Sequence, residues 1–187
     1  HTFSKNFILD PNIQSFLSKK DQVIAKESLW VLMIRIHIAL ALIALLTGPI
    51  GILARIRQRW PALHRWNGRI YALSIVINFI PSLYVSFFAS GGAWSTIGFI
   101  ILNTLWLLST IVGVRSARKR NIQMHSKWMT RSFFLSFANT TIYILVAILH
   151  YAMDQPYGFS YTVAVWACWI LNLSLAEAVI RRKSLAG

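Results

Sequence analysis

The chain has 187 residues, of which 56% are hydrophobic and 13% charged, and its 19 Lys and Arg against 5 Asp and Glu give a net charge of +14. Soluble domains are about one quarter charged, so this composition indicates a membrane protein. The basic residues lie in short clusters between long apolar runs, whereas a nucleic-acid-binding protein needs a continuous solvated basic face. Nucleic-acid binding is therefore not expected, and the single cysteine, Cys168, excludes an intrachain disulfide.

Long apolar stretches dominate the chain after residue 29. A helix needs about 20 mostly apolar residues to cross a bilayer. Five stretches meet this requirement: 30–54, 69–89, 94–114, 132–152 and 159–180. The sequence therefore predicts an all-α integral membrane helical bundle with five transmembrane helices over residues 30–183.

The distribution of positive charge predicts the topology. Segments 55–69 and 115–131, read as loops, carry five and six basic residues and no acid, and the tail 181–183 adds three more. Because Lys and Arg stay on the cytoplasmic side, these segments are expected inside a cell membrane, near anionic lipid. The C-terminus is then cytoplasmic, and residues 1–29 form an extracytoplasmic segment. This start carries no export signal, so we expect either a signal peptide that has been removed or an upstream helix, and we favour the helix, which would make six in the native protein.

Two segments resemble each other and predict an internal repeat. "GILARIRQRWPALHRWNGRIYALS" (51–74) and "GVRSARKRNIQMHSKWMTRSFFLS" (113–136) each run from a glycine through a basic region, a His, a Trp and an Arg into a helix. The first two helices are thus expected to resemble the next two. Such hairpin repeats are common in membrane proteins and indicate architecture rather than function.

Four histidines are the most informative candidates for a binding site. His64 and His125 lie at the predicted inner face, whereas His37 and His150 lie toward the outer face. A b-type haem takes two neutral imidazoles from neighbouring helices. His37, His64 and His125 are predicted haem or metal ligands; an ionisable His37 inside the hydrocarbon is functional by default. His150 is a weaker candidate, because 25 residues of straight helix from His125 span about 37 Å, more than the bilayer core.

Basic and aromatic side chains near these histidines suit a haem. Propionates need cations, and the residues predicted to supply them are Arg65, Arg69 and Arg131. Trp66 and Trp128 suit either porphyrin packing or the membrane interface. For His64 and His125, contact with lipid phosphate is the alternative to ligation. Glu177 is expected to pair with Arg181 or Arg182 on its own helix, or else with His64, His125 or Arg131.

Several motifs together resemble one bacterial family of predicted membrane proteins, domain of unknown function 2306. They are "LHRWNGRIY", "HSKWMTRSF", "LLTGPIG" after His37, and "WACWILNLSLAEAVIRR". The resemblance covers residues 30–183 and includes His37, His64, His125, Arg131 and Glu177, but not His150. It implies a membrane bundle and no established activity. A weaker likeness links the His-bearing helices to six-helix membrane b-type cytochromes.

The function expected from these features is haem b-dependent electron transfer with a quinol or small reductant. A cofactor-free subunit or assembly factor of a larger membrane complex is the main alternative, because histidines and arginines can also bind partner helices and anionic lipid. A small-molecule transporter is the third, since Pro49 and Pro81 interrupt two predicted helices and such kinks open binding sites.

Overall fold

The computed structural model describes residues 27–185, with side chains to residue 182, and the described residues contain helices and no strand. Predictions for residues 1–26 lie outside this range. In chain order the elements are α1 (Glu27–Ile52), α2 (Ala54–Arg59), α3 (Pro61–Ser86), α4 (Gly92–Arg118), α5 (Ile122–Leu135), α6 (Ala138–Val146), a π-helix (Ala147–Ala152) and α7 (Tyr157–Leu185).

Within residues 27–185, five helical segments are long and apolar enough to cross a membrane, which confirms the predicted fold class. They are α1, α3, α4, the combined segment Ile122–Ala152, and α7. Successive segments run in opposite directions, so the ends rich in Arg and Lys meet on one side of the bundle. This side, formed by the ends of α1, α4 and α7 and the starts of α3 and α5, is called the basic end below.

The helices at the basic end begin earlier than predicted. α3 begins at Pro61 and α5 at Ile122, and α2 occupies part of the expected loop 55–69. Pro61 suits the first turn of a helix, where no backbone donor is needed. Asn121 caps α5 by accepting a hydrogen bond from the backbone N–H of Met124 at 3.0 Å. A prediction from apolarity alone underestimated the lengths of both helices. Their first two turns contain Arg and Lys, which are compatible with a helix here because their charged ends can extend beyond the hydrocarbon.

The segment Ile122–Ala152 is not one straight helix. It breaks at Ser136 and Phe137, between α5 and α6, and its last six residues form the π-helix. The Ser136 hydroxyl donates to the Phe133 carbonyl at 2.6 Å and thereby takes up an acceptor at the break. A distance between His125 and His150 based on a straight helix therefore does not apply.

Two helical hairpins and α7 make up the described bundle. α1 packs along α3, α4 packs along α5, and α7 contacts α4, α5 and α6. The apolar core lies mainly among α3, α4, α5, α6 and α7 and includes Tyr71, Leu102, Leu135 and Val165. The predicted repeat corresponds to these hairpins, since both are joined at the basic end.

Candidate functional site

A cavity of 760 Å³ opens at the basic end between the two hairpins. α1, α3, α4 and α5 each supply part of its wall. Its apolar lining comes chiefly from Ile52, Tyr71, Ala72, Leu73, Val76, Ile111, Val114, Met129 and Phe133. Cofactor and ligand sites occupy about 300–1,000 Å³ and are mostly apolar with a few convergent polar groups, so this cavity has the size and character of a binding site.

His64 and His125 both line the cavity. Each is the fourth residue of its helix, and its backbone N–H bonds to the carbonyl of the residue before the helix, Trp60 for His64 and Asn121 for His125. The equivalent placement of the two residues in their hairpins is why imidazoles from α3 and α5 reach the same space. These two predicted ligands are therefore brought together by the fold.

The two imidazoles differ in their hydrogen bonding. His125 Nδ1 lies 2.8 Å from the carbonyl oxygen of Gly113, to which only an N–H can donate. This bond leaves the Nε2 lone pair free, as in metal-ligating histidines whose other nitrogen bonds a backbone carbonyl. His64 Nδ1 is buried and has no hydrogen-bond partner among the described residues. Because buried polar atoms are normally paired, His64 is suited to a ligand in the cavity.

Four arginines line the cavity, Arg65 and Arg69 from α3 and Arg115 and Arg118 from α4. All four side chains are exposed at the basic end. Arg69 also lies over the Trp66 ring, 5.0 Å from its centroid. The cavity thus combines an apolar interior with a strongly cationic mouth.

Arg131, the third arginine predicted to hold propionates, does not line this cavity. Its Nε bonds to Glu177 Oε1 at 2.5 Å, and its guanidinium lies 4.5 Å from the centroid of the Trp128 ring. The ion pair joins α5 to α7. Glu177 therefore takes one of its expected alternative partners on another helix.

Hydroxyl groups form a network beside the cavity, which Tyr71 and Thr110 line. The hydroxyls of Tyr71 and Ser132 lie 2.7 Å apart, and those of Ser132 and Thr110 also lie 2.7 Å apart. Thr110 donates to the Trp106 carbonyl at 2.8 Å. This network ties α3, α4 and α5 together. A further tie between α1 and α3 comes from Asn67, which donates to the Thr47 carbonyl at 2.8 Å.

The other two histidines lie outside the cavity lining. His37 Nδ1 lies 3.0 Å from Asn78 Oδ1, in the interior of the α1–α3 hairpin. His150, in the π-helix, has its Nδ1 2.7 Å from the Gln155 carbonyl. Within residues 27–185 there is no group of three or more His, Cys, Asp or Glu side chains that could hold a metal ion. The structure thus places His64 and His125 in one cavity and leaves His37 outside it.

Neither tryptophan considered for porphyrin packing lines the cavity. Trp66 is 62% exposed, and Trp128 lies under Arg131. The aromatic lining comes instead from Tyr71 and Phe133. Arg115 and Arg118 were not selected from the sequence as site residues. The signal that could have found them is the repeat, because it matches their basic segment to the one that contains Arg65.

Comparisons with known proteins support the membrane assignment. Residues 34–180 match the family model described as predicted membrane protein (DUF2306). No curated protein and no solved structure matches the chain.

Proposed function

We propose that this chain, which belongs to the DUF2306 family of predicted membrane proteins, binds a b-type haem in the cavity at its basic end. His64 and His125 would hold the haem, and the haem would supply a one-electron couple for transfer between a quinol or small reductant and an acceptor. The observation that carries the proposal is the presence of both imidazoles in one cavity, with the Nε2 lone pair of His125 left free by its bond to Gly113.

The other residues of the cavity also suit a haem. The apolar surfaces of Val76, Ile111 and Phe133 match the faces of a porphyrin, and the arginines at the mouth match its two carboxylates. Gly68 adds room, since a Cβ built on it would meet no other heavy atom within 4 Å. A large apolar group with an anionic edge therefore suits both the volume and the charge of the site.

A bound haem supplies a one-electron couple whose potential depends on its axial ligands and on its surroundings. The residues of the chain have the tasks of orienting and shielding it. The Gly113 carbonyl orients the His125 ring, and the buried hydroxyl network of Tyr71, Ser132 and Thr110 holds α3, α4 and α5 together beside the cavity. We further propose that the basic end faces the cytoplasm, because eleven basic residues lie in 55–69 and 115–131.

The test is a visible spectrum of protein purified in detergent after expression with haem supply. Wild-type protein should show a Soret band, and His64→Ala and His125→Ala should each abolish the same spectral component. His64→Lys should also abolish it, because an ammonium group satisfies a lipid phosphate but is a poor replacement for imidazole on iron. His150→Ala is the matched control and should leave the spectrum unchanged.

A colourless wild-type protein that also fails to bind added haem would reject the proposal. Partner subunits that copurify with this colourless protein would then favour the cofactor-free subunit or assembly factor. Specific uptake of a small solute by vesicles containing the colourless protein would favour the transporter instead.

A further inference from the structure

The arginines at the mouth of the cavity have no carboxylate to neutralise them within the described part of the chain. Glu27 and Asp154 lie at the end of the bundle opposite the basic end, and Glu177 is bonded to Arg131. Arg65, Arg69, Arg115 and Arg118 are left facing one opening. Four like charges at one site repel one another, and an anion bound among them relieves that repulsion.

The two hairpins supply this charge from different positions. Arg69 and Arg131 are the arginines that follow His and Trp in the two repeat segments, five residues after His64 in "HRWNGR" and six after His125 in "HSKWMTR". Arg69 lines the cavity, whereas its counterpart Arg131 is committed to Glu177 on α7. The second hairpin supplies its cations from α4 instead, through Arg115 and Arg118. The cationic mouth therefore lies between α3 and α4.

The cavity behind the mouth is mainly apolar and extends along α3 to Val76. A ligand that uses both regions has an apolar body toward the membrane interior and an anionic group at the basic end. Guanidinium groups bind carboxylate and phosphate oxygens through paired hydrogen bonds, so either group is suited to this mouth.

We propose that Arg115 and Arg118, with Arg65 and Arg69, form an anion-binding mouth that holds the carboxylate or phosphate group of an amphiphile whose apolar body occupies the cavity. This deepens the function proposed above, since the carboxylates of haem are one source of the anion and an anionic lipid headgroup is the other. Arg131 does not belong to this mouth.

The experiment compares wild type with Arg115→Gln/Arg118→Gln and with the control Arg59→Gln/Lys119→Gln. The control removes two exposed charges from the same end of the bundle, outside the cavity lining. Each protein, in detergent, is titrated with haem and with haem dimethyl ester, in which both carboxylates are masked. Retention of phosphatidylglycerol against phosphatidylcholine is measured on the same samples by native mass spectrometry.

If haem carboxylates are the anion, the Arg115/Arg118 variant should bind haem at least about tenfold more weakly than the control, because it loses charge-assisted hydrogen bonds to those carboxylates. Its affinity for the dimethyl ester should equal that of the control. If no protein binds haem, but wild type and control retain phosphatidylglycerol over phosphatidylcholine and the variant does not, the haem proposal fails while the anion-binding mouth stands.

The proposal is overturned if the Arg115/Arg118 variant matches the control with both probes. It is also overturned if haem and its dimethyl ester lose affinity equally, since that result would place the effect on the fold of the cavity rather than on the anionic group. An Arg131→Gln variant gives a further check and should bind haem as tightly as wild type.

Discussion

His125 Nδ1 lies 2.8 Å from the carbonyl oxygen of Gly113, so the end of α4 orients an imidazole on α5. The same glycine lets α5 approach, because a Cβ at position 113 would lie 2.7 Å from the sulfur of Met129. Met129 is one turn after His125 and also lines the cavity. Gly113 thus positions one proposed ligand although it does not itself line the cavity.

Gly113→Val should therefore alter the proposed haem site while both histidines remain. The branched side chain would displace Met129 and tilt α5, which weakens or shifts the haem spectrum relative to wild type. The variant should still insert into the membrane and fold, and the yield of folded protein on gel filtration measures this. An unchanged spectrum would mean that the contact between Gly113 and His125 does not control ligation.

Gly48→Ala should destabilise the protein by about 1–3 kcal/mol, the usual cost of overpacking. A Cβ there would lie 2.5 Å from the ring of Phe133, which has little freedom to move because its ring contacts those of Phe134 and Phe137. Thermal unfolding in detergent measures the effect. Gly68→Ala is the control: its new methyl group meets open space, so stability should be unchanged or higher.

Ser132→Ala should cost about 1–3 kcal/mol, because it breaks the hydroxyl network between Tyr71 and Thr110 and leaves buried groups without their partner. Ser74→Ala is the matched comparison, since the Ser74 hydroxyl donates to the Tyr71 carbonyl of its own helix and joins no second helix. Denaturant titration in micelles should rank Ser132→Ala as the more damaging change. If both variants lost the same free energy of unfolding, the network would have no role in holding the three helices together.

Arg131→Gln and Glu177→Gln should be coupled in a double-mutant cycle by about 1 kcal/mol or less, because both side chains are partly exposed. Arg181→Gln paired with Glu177→Gln should give a smaller coupling energy. Free energies of unfolding from the same detergent provide the measurement. A larger coupling with Arg181 would contradict the ion pair between α5 and α7.

Topology can be tested with single cysteines introduced in place of Lys119 or Met153. Native Cys168 is 0% exposed, so it should not react with an impermeant thiol reagent in folded protein. With reagent outside intact cells, Met153→Cys should be labelled and Lys119→Cys should not, until the membrane is opened. The reverse pattern would place the basic end outside.

Much of the fold follows from local sequence properties. Stretches of apolar residues long enough to span hydrocarbon produced five segments in both sequence and structure, and the basic clusters correctly marked one end of the bundle. Helix starts were misplaced by several residues because apolarity does not register a proline at a first turn or an asparagine cap, as at Pro61 and Asn121.

Tertiary packing decided which of the candidate residues share a site. The sequence by itself selected His37, His64 and His125 as candidate ligands and placed the last two at one face, but only the cavity that α3 and α5 both line brings those two side chains into one site and leaves His37 outside it. It likewise grouped Arg131 with Arg65 and Arg69, but α7 places Glu177 within reach of Arg131 and α4 places Arg115 at the cavity instead. Periodicity and charge are properties of one segment, whereas a cavity depends on the rotation and depth at which separate helices pack, and these are set by contacts between residues far apart in the chain.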